Sequence, residues 1–333
     1  MGDHMQQPIT QTTGGGTPKL AAEPLLVDEK EIRDYPELNL DSEKIKQVLT
    51  ERNKALAGRD TVVLLDYSGS MTTREPSWSN KARSEVQREI LTAILNLVLK
   101  HDDDGIKVRL IKHKLVFHKD LVKDFLMTEA ALKEFIDKFQ PGGGTPLVTA
   151  VQAELSAYVK KCKEAKDAAL PPKKFGMIVI TDGEPDDEEA TGTTIPRIIQ
   201  EAACDVRDLG FNPQELFGIQ FVLLTENKEH QVYYRRIDNT KTYSRKKTEA
   251  NPDPETFECD VCDVFFFVEY GLLGGAESPL ALAKITAGGV SESFDDLYGT
   301  EVPAEIKWVD DFIENNPDEG FVDRPIKERR KAN

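Results

Sequence analysis

Short apolar runs that end in polar loops, each followed by a longer amphipathic stretch, constrain this chain more than any other feature. Thr61-Val62-Val63-Leu64-Leu65 runs into Asp66-Tyr67-Ser68-Gly69-Ser70, and Met177-Ile178-Val179-Ile180 runs into Thr181-Asp182-Gly183-Glu184-Pro185. Unbroken apolar strands of this kind suit a parallel sheet buried on both faces. The stretches between them carry helical spacing. Ile45, Val48, Leu49 and Leu56 mark one helix before Gly58, and Ala82, Val86, Ile90, Ala93, Ile94, Leu97 and Val98 mark a longer one. The alternation predicts an α/β fold: a doubly wound, Rossmann-like, mostly parallel six-stranded sheet with one short antiparallel edge strand and helices on both faces.

The remaining elements follow from the same periods. Ile106–Ile111 reads as the second strand and Leu115–His118 as the antiparallel edge. A helix starts near Thr128. Gly142-Gly143-Gly144 then delivers Thr145 as N-cap and Pro146 as first residue of another helix, the favoured order there. Ile195–Leu209 reads as helix, Ile219–Leu224 and Val264–Val268 as strands, and Ser278-Pro279 opens a helix through Ile285. Residues 1–36 are expected to be a flexible tail, with Met1–Met5 a cloning remnant and Gly14-Gly15-Gly16 marking flexible chain. Residues 37–300 form the domain. Residues 301–333 form a C-terminal extension with a short helix, read as a strap on its own domain, and a basic tail at Arg324–Lys331. The polar segment Asn239–Asp260 is expected to be a surface excursion.

Charge narrows the partners. The 59 acidic and 43 basic side chains give a net charge of -16 over 333 residues, against binding nucleic acid or anionic membrane and in favour of cations. The apolar runs are too short to span a bilayer, so no membrane insertion is expected. No basic segment followed by an apolar one opens the chain, and the four Cys are unevenly spaced. A reducing, cytoplasmic setting follows as the expectation.

The chemistry concentrates at strand ends. Residues two apart in extended backbone point the same way, so Asp66, Ser68 and Ser70 can converge. With strand order 3-2-1-4-5-6, the first and fourth strands are neighbours, and Asp182 then faces Asp66 across the topological switch point, where open α/β sheets place ligands. Thr145 completes the set. Two carboxylates and three hydroxyls are hard ligands, suited to Mg²⁺, Mn²⁺ or Ca²⁺ rather than zinc or copper.

Asp66-Tyr67-Ser68-Gly69-Ser70, Thr145 in Gly-Gly-Gly-Thr-Pro-Leu and Asp182 in Thr-Asp-Gly resemble the metal-ion-dependent adhesion site (MIDAS) of von Willebrand factor type A (vWA) domains, over residues 58–290 by element order. The resemblance implies direct metal ligation by Ser68, Ser70 and Thr145, with Asp66 and Asp182 acting mainly through water. It implies a non-enzymatic protein-binding module whose metal recruits an Asp or Glu carboxylate from a partner protein. Tyr67, Met71, Arg74, Trp78 and Glu184 would rim the metal and set specificity. The long stretch Thr72–Asn80 departs from the family pattern. A competing class is an assembly or chaperone factor working with an AAA+ ATPase or in cofactor insertion, as intracellular proteins similar to this family do. A metal-dependent hydrolase is disfavoured, because no His lies near the site in sequence.

Other groups read plainly. Asp186, Asp187, Glu188 and Glu189 are expected to be a solvated acidic loop opening a helix. Cys259 and Cys262 are expected to be ordinary thiols, and His113 and His118 surface histidines. No nucleophile elbow or phosphate-binding loop is present.

Overall fold

The computed structural model describes residues 26–32, 40–75, 80–102, 105–112, 119–183, 185–248, 253–267, 269, 273, 275, 278–290, 303–318 and 321–323. Helix α1 (Ser42–Leu56) is capped by the Asp41 carboxylate, which accepts from the Lys44 N–H at 3.0 Å. Strand β1 (Arg59–Asp66) and helix α2 (Arg83–Val98) follow, then β2 (Ile106–Ile111), β3 (Val122–Leu126), α3 (Glu129–Asp137) and α4 (Leu147–Asp167). The chain continues through β4 (Lys174–Thr181), the single turn α5 (Glu188–Thr191), α6 (Ile195–Asp208), α7 (Pro213–Leu216) and β5 (Phe217–Leu223). Last come α8 (Lys228–Asp238), β6 (Thr242–Ser244), β7 (Thr256–Glu258), β8 (Cys262–Phe266), α9 (Pro279–Ala287) and α10 (Ala304–Asn315).

Six strands form one sheet in the order β3-β2-β1-β4-β5-β8. Five are parallel, and β3 pairs antiparallel to β2 at the edge. The expected Rossmann-like α/β architecture is therefore present. The antiparallel edge lies at Val122–Leu126, not at Leu115–His118, which falls outside the described residues together with His113 and the basic tail. The apolar pair Leu121 and Leu126 bounds the true edge strand, and both are buried. Strands β5 and β8 are buried at every residue and β1 and β4 at nearly every one. Consecutive burial requires cover on both faces, and the helices around the sheet supply it. Helix α9 packs on α1 and α2, and α4 packs on α6. Buried Glu154 of α4 ties that helix to β2 through Arg109 at 2.5 Å and Lys107 at 2.9 Å.

Two segments differ from the sequence reading. The excursion at 239–260 contains the antiparallel ribbon β6–β7, and Tyr243 in it is buried. Helix α8 is an addition to the elements expected from the sequence, with Tyr233, Tyr234 and Ile237 buried at helical spacing behind an Asn227 cap. Helix α10 packs on α8, with Ile306 and Val309 buried and Asp310 paired to Arg235 at 2.8 Å. It is a strap on its own domain, as expected. No helix among the described residues is long and apolar enough to cross a membrane.

Candidate metal centre

The sheet order runs outward in both directions from β1 and β4, so the crevice lies beyond their C-terminal ends. Register does the rest. Leu65 pairs with Ile180, which sets Asp66 beside Thr181 and one residue from Asp182. The Asp66 carboxylate is buried and held at both oxygens. Oδ1 accepts from the Ser68 N–H at 2.9 Å, and Oδ2 accepts from the Thr181 hydroxyl at 2.7 Å. Burial, and after it the Asp182 charge, pushes the Asp66 pKa up to about 6 against those hydrogen bonds.

After Asp66 the chain leaves the sheet in steps. Tyr67 N–H still reaches the Ile111 carbonyl at 2.8 Å, and Gly69 N–H donates to the Gly143 carbonyl at 3.0 Å. A 3₁₀ turn over Gly69–Thr72 follows, anchored by buried Met71. The turn presents the hydroxyls in a row: Ser68 Oγ lies 2.9 Å from Ser70 Oγ, and Ser70 donates to Asp182 Oδ1 at 2.9 Å. Ser68 is buried and Ser70 exposed, so the row opens to solvent at Ser70.

The Gly-rich loop abuts this turn through the Gly69–Gly143 bond. Gly143 adopts φ of 83°, the left-handed region that favours glycine. A Cβ on Gly144 would sit 1.7 Å from Asp186 Oδ2, so a side chain there would displace the Asp186 carboxylate from the Thr145 N–H. Thr145 is buried, and its N–H donates to Asp186 Oδ2 at 2.8 Å. Thr145 is not the helix cap. Helix α4 starts at Leu147, and the cap comes from Asp187, which accepts from Val148 N–H at 3.0 Å and Thr149 N–H at 2.9 Å. The expected solvated acidic loop is thus corrected in part. Asp186 and Glu189 are exposed, but Asp187 and Glu188 are buried, and Glu188 accepts from the Tyr233 hydroxyl at 3.0 Å. The free N–H groups of α4 are what draw the Asp187 carboxylate inward.

Of the expected rim, Arg74 is exposed and tied back, its guanidinium donating to the Asn80 carbonyl at 2.7 Å. Tyr67 and Met71 are buried and support the turn from below, so they do not present side chains at a rim. Met71 is the buried residue of the 3₁₀ turn, while Ser68 Oγ and Ser70 Oγ form the row that meets Asp182. Trp78 and Glu184 lie outside the described residues.

Sequence spacing did not reveal the charged neighbours. Arg83, at the start of α2, places Nη1 2.5 Å from Asp182 Oδ2, and its Nε donates to Glu75 at 2.9 Å. Gln87, one turn on, donates to the carbonyls of Asp66 at 3.0 Å and Ile180 at 3.2 Å. A histidine does reach the site. His230 of α8 lies with Nδ1 3.1 Å from the Asp182 carbonyl, and Tyr234 donates to the Gly183 carbonyl at 2.9 Å. A carbonyl only accepts, so that ring nitrogen carries a proton. The sequence signal for His230 and Tyr234 is the Asn227 cap and Tyr spacing of α8.

The donor set suits a hard cation. Asp66, Asp182 and Glu75 around the single guanidinium of Arg83 leave two negative charges uncompensated when Asp66 is ionised, in contact with a row of hydroxyl oxygens. No group of three or more His, Cys, Asp or Glu among the described residues forms a metal cluster, so any cation here would depend on the hydroxyls as well as the carboxylates. Cys259 and Cys262 are free, buried thiols, and burial pushes Cys259 up to about 12, consistent with unreactive cysteine. Compared with protein-family models and with curated proteins, the chain finds no match. Fold and site together define a class: a Rossmann-like α/β domain with an oxygen-donor cluster at its switch point.

Proposed function

We propose that this chain is a divalent-cation-dependent protein-binding module of the vWA kind, and not an enzyme. Mg²⁺, or Mn²⁺ or Ca²⁺, would be held by Ser68, Ser70 and Thr145, with Asp66 and Asp182 contributing through water. The cation would bridge to an Asp or Glu carboxylate of a partner protein. The observation that carries this reading is the row Ser68 Oγ, Ser70 Oγ and Asp182 Oδ1, at 2.9 Å spacings and open at Ser70. The uncompensated negative charge of the cluster would repel an incoming carboxylate. A divalent cation cancels that charge and leaves a coordination position for an outside oxygen. The rim would set specificity around that single bond, with Arg74 its exposed member among the described residues.

Calorimetric titration with MgCl₂ tests the metal, and capture of binding proteins in Mg²⁺ or in EDTA tests the bridge. The expected result is Mg²⁺ binding at one site that Ser70→Ala weakens roughly tenfold or more, and a partner retained in Mg²⁺ but released by EDTA and by Ser70→Ala. No Mg²⁺ binding, or a partner held equally in all conditions, overturns the reading. His230 beside Asp182 supports a second reading, metal-dependent hydrolysis with the imidazole as proton carrier. Mg²⁺-dependent turnover of phosphate or ester substrates that His230→Ala abolishes would replace the first reading with the second.

A further inference from the structure

Arg83 is the most constrained charge at the site. Its backbone N–H donates to the Thr73 carbonyl at 3.0 Å. Its guanidinium spans two carboxylates: Nη1 meets Asp182 Oδ2 at 2.5 Å, while Nε at 2.9 Å and Nη2 both donate to Glu75. The Arg83 side chain is 14% exposed, Glu75 13% and Asp182 1%. A planar fork gripped from two directions is fixed in place. Asp182 is thereby divided. Oδ1 faces the Ser70 hydroxyl, and Oδ2 faces the guanidinium.

We propose that Arg83 is a built-in counter-cation that holds down the divalent-cation affinity of this site, with Glu75 offsetting part of its charge. The proposal rests on the reading of the cluster as a cation site. Arg83 leaves the hydroxyl-facing edge of Asp182 open, so it acts by charge and not by obstruction. A permanent positive charge one carboxylate away opposes a divalent ion and lowers the site's net negative charge. A cation held this loosely gains most from an additional anionic ligand, which makes an outside carboxylate part of a stable site.

The charge role and a mere scaffolding role differ in sign. If Arg83 and Glu75 only hold Asp182 in position, removing either weakens cation binding. If they act by charge, the two removals go in opposite directions. The test is calorimetric titration of the full chain with MgCl₂ at low ionic strength, with thermal unfolding in EDTA as the check on folding. Arg83→Gln is expected to bind Mg²⁺ roughly tenfold more tightly than the native chain, Arg83→Lys about as the native chain does, and Glu75→Gln several-fold more weakly. Mg²⁺ binding that Arg83→Gln weakens or leaves unchanged overturns the proposal while leaving the cation site standing. Unchanged affinity in Glu75→Gln overturns it even if Arg83→Gln fails to fold. Binding gained by Arg83→Gln where the native chain shows none supports the counter-cation and overturns metal bridging in the native protein. Absence of binding in both overturns the two together.

Discussion

At the scale of single residues, Asp66 and His101 are buried groups whose titrations oppose each other. The Asp66 pKa is raised from 3.8 to about 6, first by burial and then by Asp182. Between those values the folded protein keeps a proton that the unfolded chain has released, so metal-free stability falls as pH rises through this window, by at most about 3 kcal/mol. His101 is lowered from 6.5 to about 4, first by burial and then by Arg52 and Lys100. It stays neutral in the fold while the unfolded chain takes up a proton, so its contribution is lost as pH falls from 6.5 toward 4. The slopes cancel in part in the native protein. Asp66→Asn removes one of them. In EDTA, its stability in urea is expected to rise more steeply between pH 4 and 6 than that of the native chain. Equal slopes would remove Asp66 as the raised group. The Asp66, Ser68 and Ser70 positions were legible from their spacing alone. Arg83 and His230 were not, because each reaches the site from a helix whose orientation no local pattern encodes.

At the scale of elements, helix α4 shows how a local signal is overruled. Thr145-Pro146 is a good helix opening, and local preference alone would place the cap on Thr145. Instead the Thr145 N–H donates to Asp186, and Asp187 caps the helix from across the crevice. A carboxylate brought by the β4 loop satisfies two helix N–H groups and the Thr149 hydroxyl together, which a single threonine cannot do. Asp187→Ala is expected to cost about 1–2 kcal/mol in urea unfolding and to weaken Mg²⁺ binding, because Thr145 lies two residues before the start of α4. A loss under about 0.3 kcal/mol would show that the cap is not needed. Helix α8 is not among the elements expected from the sequence, although Tyr233, Tyr234 and Ile237 carry helical spacing, and strand β3 lies away from its expected position because a weakly apolar edge carries little pattern.

At the scale of the whole molecule, the sheet, its covering helices and the C-terminal strap form layers of unequal support. Helix α10 touches the rest through Ile306 and Val309, the Arg235–Asp310 pair and Lys228 set over the Trp308 ring at 5.3 Å. The following turn adds Phe321 against Tyr233 at 5.8 Å and Asp323 on Arg197 at 2.8 Å. Ile306 and Phe321 join the edge of the core that runs under β1, β4 and β5. The double substitution Ile306→Ala, Val309→Ala is expected to speed amide exchange across 304–315 while the central strands stay protected. Uniform loss of protection would instead make α10 part of one cooperative unit. Periodicity and short-range spacing, which act within a few residues, are enough to give the α/β class, the central strands and the hydroxyl–carboxylate motif. The folded chain alone brings Asp187 to the start of α4, sets Arg83, itself paired to Glu75, against one edge of Asp182, and carries His230 to the Asp182 carbonyl. Those contacts join residues roughly 40 to 100 positions apart, and what fixes them is strand order and helix packing, which arise only when the whole core forms.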